Sequence, residues 1–325
     1  MKLRVVIVAL LGLALAVYLI AYTGFGPVFS AAAAVGWGGF ALLCLYAMAL
    51  FVVLGGAWYV LLPESSLANL RIFVWARMVR EAATDVLPFS QLGGLVLGAR
   101  AAILHGVADS WVYSSTIVDV TMEMLAQIVY VALGILILDL RAPPTSFAHS
   151  LIKGLLIGVA CAVAAAGFFL VLQRHGHRVV EKFTARILPN ALRHTVAVGT
   201  ALRSIYRSRA RVGASIVLHS VGWVGSAIGA WIAFRLVGVR VDVKSVFALE
   251  SLVSAIRSTA VFIPHALGAQ EAAYTLFAPL FGIGAEFGLA VSVLKRARDL
   301  VIGIPIMLIW QAIEGHRARS RPAVG

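Results

Sequence analysis

Ser115, Asp119, Glu123 and Gln127 recur at four-residue intervals in an otherwise apolar segment, which puts a hydroxyl, two carboxylates and an amide along one helical face. A second run, Ser292, Lys295, Arg296, Arg298 and Asp299, has the opposite net sign and sits in a similarly apolar segment towards the other end of the chain. Arg100, Glu250, Arg257 and Glu271 are further ionisable groups inside apolar stretches. A charge at the bilayer centre costs about 2.5 to 3.5 kcal/mol even on lenient insertion scales, so these groups face a protein interior or a water-filled cavity. Two chemistries fit. The acidic and basic stripes either pair to hold two halves of the molecule together, or line a cavity that receives a polar head group. Arginine suits bidentate contacts to phosphate or carboxylate, and the ends of broken helices offer free N–H groups to an anion. The candidates for head-group contact are therefore Arg80, Glu81, Arg100, Asp119, Glu123, Arg257, His265, Glu271, Arg296 and Arg298. His265, directly after Pro264, reads either as a hairpin-tip contact or as a local hydrogen-bonding residue.

Other chemistries are poorly served. Asp119 and Glu123 have no second acidic cluster with which to hold a divalent ion, so no metal and no cofactor are expected. No Ser/His/Asp, Walker or GxGxxG signature occurs where its chemistry needs it, and no enzymatic activity is expected. Without a nucleotide site, uphill movement of a ligand must draw on an ion gradient, with Asp119 or Glu123 as proton carriers. Cys44 and Cys161 lie in apolar runs without a ligand or redox motif and read as core packing.

The elements that position these groups follow from hydropathy. With 61% hydrophobic and 13% charged residues and a mean hydropathy of +0.96, the chain is apolar on every face, which predicts an all-α polytopic membrane protein forming one domain over 1–325. Spans are predicted at Val5 to Tyr22, Trp37 to Leu62, Val112 to Leu138, Leu151 to Leu172, Val212 to Leu236 and Phe287 to Trp310. The first follows Lys2 and Arg4 and is read as a retained span rather than a signal peptide. Two further apolar stretches, Glu81 to Gly106 and Ser245 to Gly284, are broken by Pro88, Gly93 and Gly94 and by Pro264 and Gly268. These five residues are the predicted hinges of two re-entrant hairpins.

Most of the 27 Lys and Arg residues collect at Lys2 and Arg4, at Arg71, Arg77 and Arg80, in a basic loop over 173–211, and after Arg317. The positive-inside rule makes that side, with both termini, cytoplasmic. Membrane explains the +13 net charge better than nucleic acid does, since basic juxtamembrane clusters attract anionic lipid. The two halves, about 1–140 and 151–312, then follow one plan in opposite orientations. A sequence echo agrees: Arg80, Pro88, Leu92-Gly93 and Gly106 match Arg257, Pro264, Leu267-Gly268 and Gly282. Paired Gly/Pro-interrupted segments point to a midplane site. The hairpin tips are expected to meet there, with Arg100 and Glu271 in one polar space.

The stretches VREAATDVLPFSQLGGLVLGARAAILHG with STIVDVTMEMLAQ, and SAIRSTAVFIPHALGAQEAAYTLFAPLFGI with KRARDL, resemble the membrane domain of lysylphosphatidylglycerol synthases and their stand-alone flippase-like relatives. AVYLIAYTGFGPVFSAAAAVGWGGFALL and FVWARMVREA further resemble the branch associated with hopanoid biosynthesis in bacteria. The resemblance implies membrane segments with re-entrant helices that move a polar lipid, at positions Arg80, Glu81, Pro88, Gly93, Gly94, Arg100, Asp119, Glu123, Pro264, Gly268, Glu271 and Arg298. It also implies membrane lipids, and possible lipid-biosynthesis enzymes, as partners. The synthases' aminoacyl-transferase domain has no counterpart in these residues, so lysyl transfer is not expected. The competing expectation is a non-transporting lipid-binding or scaffold protein for hopanoid or glycolipid assembly.

Overall fold

A computed structural model describes residues 25–63, 67–87, 90–141, 146–187, 192–260, 263 and 266–320. The predicted span Val5 to Tyr22, the hinge prolines Pro88 and Pro264, and His265 lie outside the described residues. The elements are α1 (Phe25–Ala33), α2 (Gly36–Tyr59), α3 (Leu67–Val86), α4 (Ser90–Leu104), α5 (Asp109–Arg141), α6 (Ser146–Ile187), α7 (Leu192–Arg207), α8 (Arg209–Leu236), α9 (Val243–Thr259), α10 (Ala269–Phe277), a 3-10 turn (Ala278–Phe281) and α11 (Ala285–Ser320). No strand occurs among the described residues. Among the described residues four helices are long and apolar enough to cross a membrane: α2, α5, the His149–Gln173 part of α6, and α8. At 24 residues α2 extends about 36 Å, more than a hydrocarbon core. α11 is longer still, but its four clustered charges lower its hydropathy.

Three ties between helix ends sort them to two faces of the molecule. On one face Arg211, near the start of α8, donates to the Pro63 carbonyl just past α2, and Arg100, near the end of α4, pairs with Glu314, near the end of α11. On the other, Arg141 at the end of α5 pairs with Asp242, the residue before α9, and also reaches Ser245. Burial alone raises the Asp242 carboxyl, but the Ser245 hydroxyl and N–H and the Arg141 guanidinium outweigh it and hold the group below its ordinary value. Asp242 therefore stays charged and caps α9 through the N–H groups of Lys244 and Ser245.

The α3–α4 pair thus starts and finishes on the first face, and α9–α10 starts and finishes on the second. Each reaches mid-depth. Val86 and Ala82 at the end of α3 lie against Gly303, halfway along α11, while Ser254 and Ser258 at the end of α9 receive Gln127 from the middle of α5. Across the halves α2 packs on α8, α3 on α11 and α5 on α9. The hairpins also end alike. Gly106 and Gly282 both adopt positive φ, and in both the next residue's N–H reaches back five residues, Val107 to Ala102 and Ile283 to Ala278, closing a Schellman cap.

Four expectations need correction. The first hairpin begins at Leu67 rather than Glu81, because Arg71, Arg77 and Arg80 make its first helix look like a loop to hydropathy. The basic stretch 173–211 is not a loop: α6 runs on to Ile187 and α7 follows, burying Ala201, Leu202 and Ile205 against α5 and leaving Arg203 and Arg207 exposed. Gly93 and Gly94 lie within α4 rather than at a hinge. A Cβ on Gly94 would stand 2.5 Å from the Arg80 carbonyl oxygen, so this glycine permits α4 to close on α3. Gly268, by contrast, is a hinge, with φ 78 at the entrance to α10. Finally, Cys161 is exposed on α6, a helix that presents its apolar surface outward, so it is not core packing.

Candidate functional site

Two ionic networks are built into the helix bundle, one per half. In the first, α3 supplies Arg77, Arg80 and Glu81 from successive turns, α5 supplies Asp119 and Glu123, and α8 supplies His219 from the other half. Arg77 holds Glu123 in a bidentate pair at 2.6 and 3.2 Å, places Nε 2.8 Å from Glu81 and lies 3.6 Å from Asp119. Arg80 bridges Asp119 at 2.8 Å and Glu123 at 2.7 Å. His219 Nε2 is 2.9 Å from the remaining Asp119 oxygen. Arg77, Asp119 and His219 are buried, whereas the Glu81 and Glu123 side chains keep 26% and 20% of their surface exposed. The network is therefore open at one edge. The α5 stripe faces protein throughout: Ser115 accepts from the Trp58 indole at 3.0 Å, and Gln127 donates to Ser258 at 2.7 Å.

The second network joins α9, α10 and α11. Glu250 accepts from Lys295 and from the Tyr274 hydroxyl, and Ser226 of α8 stands 3.2 Å from the same carboxylate. Glu271 pairs with Arg296 and also accepts the Gly268 N–H at 2.9 Å, so one carboxylate neutralises an arginine and caps α10 at its hinge. One turn further along α11, Arg298 pairs with Asp299 at 2.7 Å. Asp299 shares a small cleft with Asp85 of α3, lined also by Phe51, Ala82, Ile302 and Gly303. Asp85 lies within electrostatic reach of both Glu81 and Arg298, and Arg298 within reach of Glu250. Charged groups thus follow one another from Glu123 at one depth to Glu250 at another, along α3 and then α11.

The stripes pair, but not with each other. The acids of α5 are bound by the arginines of α3, and Lys295 and Arg296 of α11 by the carboxylates of α9 and α10, while Arg298 pairs within α11, so each stripe secures a hairpin to the last span of its own half. The physical reason is adjacency: each long helix follows its hairpin directly in the chain and buries its charged face against it. Arg100 and Glu271 do not share a space. Arg100 is exposed and bound to Glu314, and Glu271 is buried with Arg296. Arg257, half-buried in the last turn of α9, has no ion-pair partner among the described residues, although Glu250 and Lys295 feel its charge. No group of three or more metal-ligating side chains occurs among the described residues.

Sequence reasoning missed Arg77, His219 and Tyr274. Arg77 reads as one of the loop charges that set orientation, yet its side chain is 2% exposed. For His219 a signal exists: Ser215, His219, Gly222 and Ser226 recur at helical spacing within an apolar span and mark a polar face turned inward.

Helices that turn apolar surfaces outward and hide their charges make this a multi-pass membrane protein. It belongs to the family described as lysylphosphatidylglycerol synthase TM region, whose profile matches residues 6–306. Among curated proteins and solved structures, nothing matches the chain.

Proposed function

We propose that this protein is a flippase-like lipid-transport protein, which carries a polar lipid head through the membrane between its inverted halves while the acyl tails stay in the bilayer. The observation that carries the reading is the succession of charged groups along α3 and α11, from the open edge at Glu81 and Glu123, past the Asp85–Asp299 cleft, to Lys295 and Glu250. Ionisable groups at membrane depth mark substrate or ion pathways, and family membership favours lipid handling. Arg257, near the mid-depth hairpin tip and without a carboxylate partner among the described residues, is the anion contact for a lipid phosphate. The same reading leaves the lipid chemically unchanged, needs no cofactor, and assigns the hopanoid-associated branch as the setting.

The test is lipid exchange in reconstituted vesicles carrying tail-labelled fluorescent phosphatidylglycerol. Arg257→Gln is expected to slow exchange at least about tenfold, the loss of one good charge-assisted contact, with unchanged protein abundance because no buried partner is orphaned. Wild-type vesicles that exchange lipid no faster than protein-free ones would leave the scaffold reading in its place.

The reading also assigns the face bearing Arg211 and the end of α11 to the cytoplasm of an inner membrane, with both termini on that side. A single cysteine at Arg203, on the exposed face of α7, should react with an impermeant maleimide only after cells are opened. Reaction in intact cells reverses the orientation.

A further inference from the structure

His219 stands apart from the rest of the first network because it comes from the other half of the molecule and is its one ionisable group that is neither an arginine nor a carboxylate. The imidazole is fully buried. Its Nε2 meets Asp119 at 2.9 Å, and its Nδ1 has no hydrogen-bond partner among the described residues. Ser215, one turn earlier on the same face of α8, is likewise buried with an unpartnered hydroxyl. The charged groups around His219 are Arg77, Arg80 and Glu81 from α3 and Asp119 and Glu123 from α5. No charged group on the other helices packed on α8 is bonded to this set among the described residues. α2 contains no charged residue, and α7 turns Arg203 and Arg207 to the surface. On α9, Glu250 is bound to Lys295 of α11 and to Ser226, two turns beyond His219, and Arg257, two turns past Glu250 on a helix antiparallel to α8, lies back towards the depth of His219, where its charge is felt by Glu250, Tyr274 and Lys295. Midway along α11, Arg296 is engaged with Glu271 and Arg298 with Asp299.

Two guanidiniums therefore face three carboxylates. With neutral imidazole the network carries one uncompensated negative charge; a proton on Nδ1 balances it. Imidazole is the side chain whose unperturbed charge change falls between about pH 5 and 8. None of the three carboxylates stands free of a guanidinium, since Arg77 holds Glu81 and Glu123 and Arg80 holds Asp119 and Glu123. We propose that His219 is the proton-binding site that couples lipid movement to a proton gradient, the proton entering past the exposed edge at Glu81 and Glu123 and settling on Nδ1. Protonation turns the His219–Asp119 hydrogen bond into an ion pair between α8 of the second half and α5 of the first, so it tightens the contact between halves, and proton release loosens it. A ligand shifts such an equilibrium only by its differential affinity for the two states, and here the proton supplies that difference.

The inference rests on the transport reading and is tested so that the two can fail separately. In vesicles carrying tail-labelled fluorescent phosphatidylglycerol, wild-type exchange should change about tenfold between about pH 5 and 8. His219→Gln, locked neutral, and His219→Lys, locked charged, should both be flat across that range and sit near opposite wild-type extremes. A variant that keeps the wild-type pH dependence overturns the proposal. If the wild type exchanges no lipid at any pH, the transport reading fails and proton binding is decided directly, by NMR of the 15N-histidine-labelled full chain in micelles. An imidazole resonance that titrates in the wild type and is missing from His219→Lys supports the site. A His219 resonance fixed in one form across the range rejects it, and this measurement stands even where His219→Gln fails to fold.

Discussion

Replacing Arg77 with methionine is expected to remove most of the folded protein from the membrane. The guanidinium is 2% exposed and contacts all three carboxylates of the first network, with Glu123 bound through both of its oxygens. Deleting it leaves Arg80 alone against Asp119, Glu123 and Glu81. Breaking a buried ion pair by removing one partner costs about 3 to 5 kcal/mol, because the remaining charge stays desolvated. A loss of that size takes up a large part of a typical domain's stability of about 5 to 15 kcal/mol. The double variant Arg77→Met with Glu123→Gln removes one charge of each sign and should recover part of the lost abundance. Arg100→Ala is the control, since that arginine is half-exposed at a bundle end and surface pairs contribute about 0 to 1 kcal/mol. Size-exclusion profiles and thermal midpoints in detergent measure all three. A single Arg77→Met protein as abundant and heat-resistant as Arg100→Ala would show that the network contributes nothing to the fold.

The contrast between Arg77 and Arg100 also shows what sequence alone conveys in such a chain. Hydropathy locates apolar segments and period 3.6 shows which residues share a face, so the stripe Ser115, Asp119, Glu123 and Gln127 was legible, and all four face protein. The second hairpin was legible because Gly268 interrupts an otherwise long apolar run, whereas the charges of its opening helix hid where the first begins. What a single segment does not encode is its neighbour. Arg100 lies in an apolar helix yet points outward, whereas Arg77 belongs to a helix polar enough to pass for a loop and points inward. For the same reason the pairing of the stripes was not legible: opposite signs on α5 and α11 suggest a clasp between halves, but each helix is met first by its own hairpin. Gly94 shows a further limit, since a glycine required for close approach of two helices looks in sequence like a glycine required for a turn. The caps at Gly106 and Gly282 match, but Gly238 at the end of α8 has the same one, so the cap marks a helix end and not the repeat.

In the second network the expected result is an asymmetry: Glu250→Gln should damage the protein more than Lys295→Met. Both side chains are nearly fully buried and bonded to each other, so an equal cost is the simplest expectation. Their surroundings differ. When Lys295 is removed, Glu250 keeps two hydroxyl donors, Tyr274 and Ser226 at 3.2 Å, and still feels the positive charge of Arg257. When Glu250 is neutralised, Lys295 retains the Tyr274 hydroxyl at 3.1 Å, but its charged neighbours Arg257 and Arg298 both repel it. A buried ammonium with two like charges nearby and no anion is the costlier remnant, at the upper end of the roughly 3 to 5 kcal/mol range, while the carboxylate left by Lys295→Met lies at or below its lower end. The double variant has no charge to strand, and replacing a buried pair by neutral groups of similar volume is often close to neutral, so it should be more stable than Glu250→Gln alone. Thermal midpoints of the three proteins in one detergent decide the order. Equal losses in the two single variants, or a double variant worse than either, would mean that Tyr274, Ser226 and Arg257 do not solvate Glu250 as their positions imply.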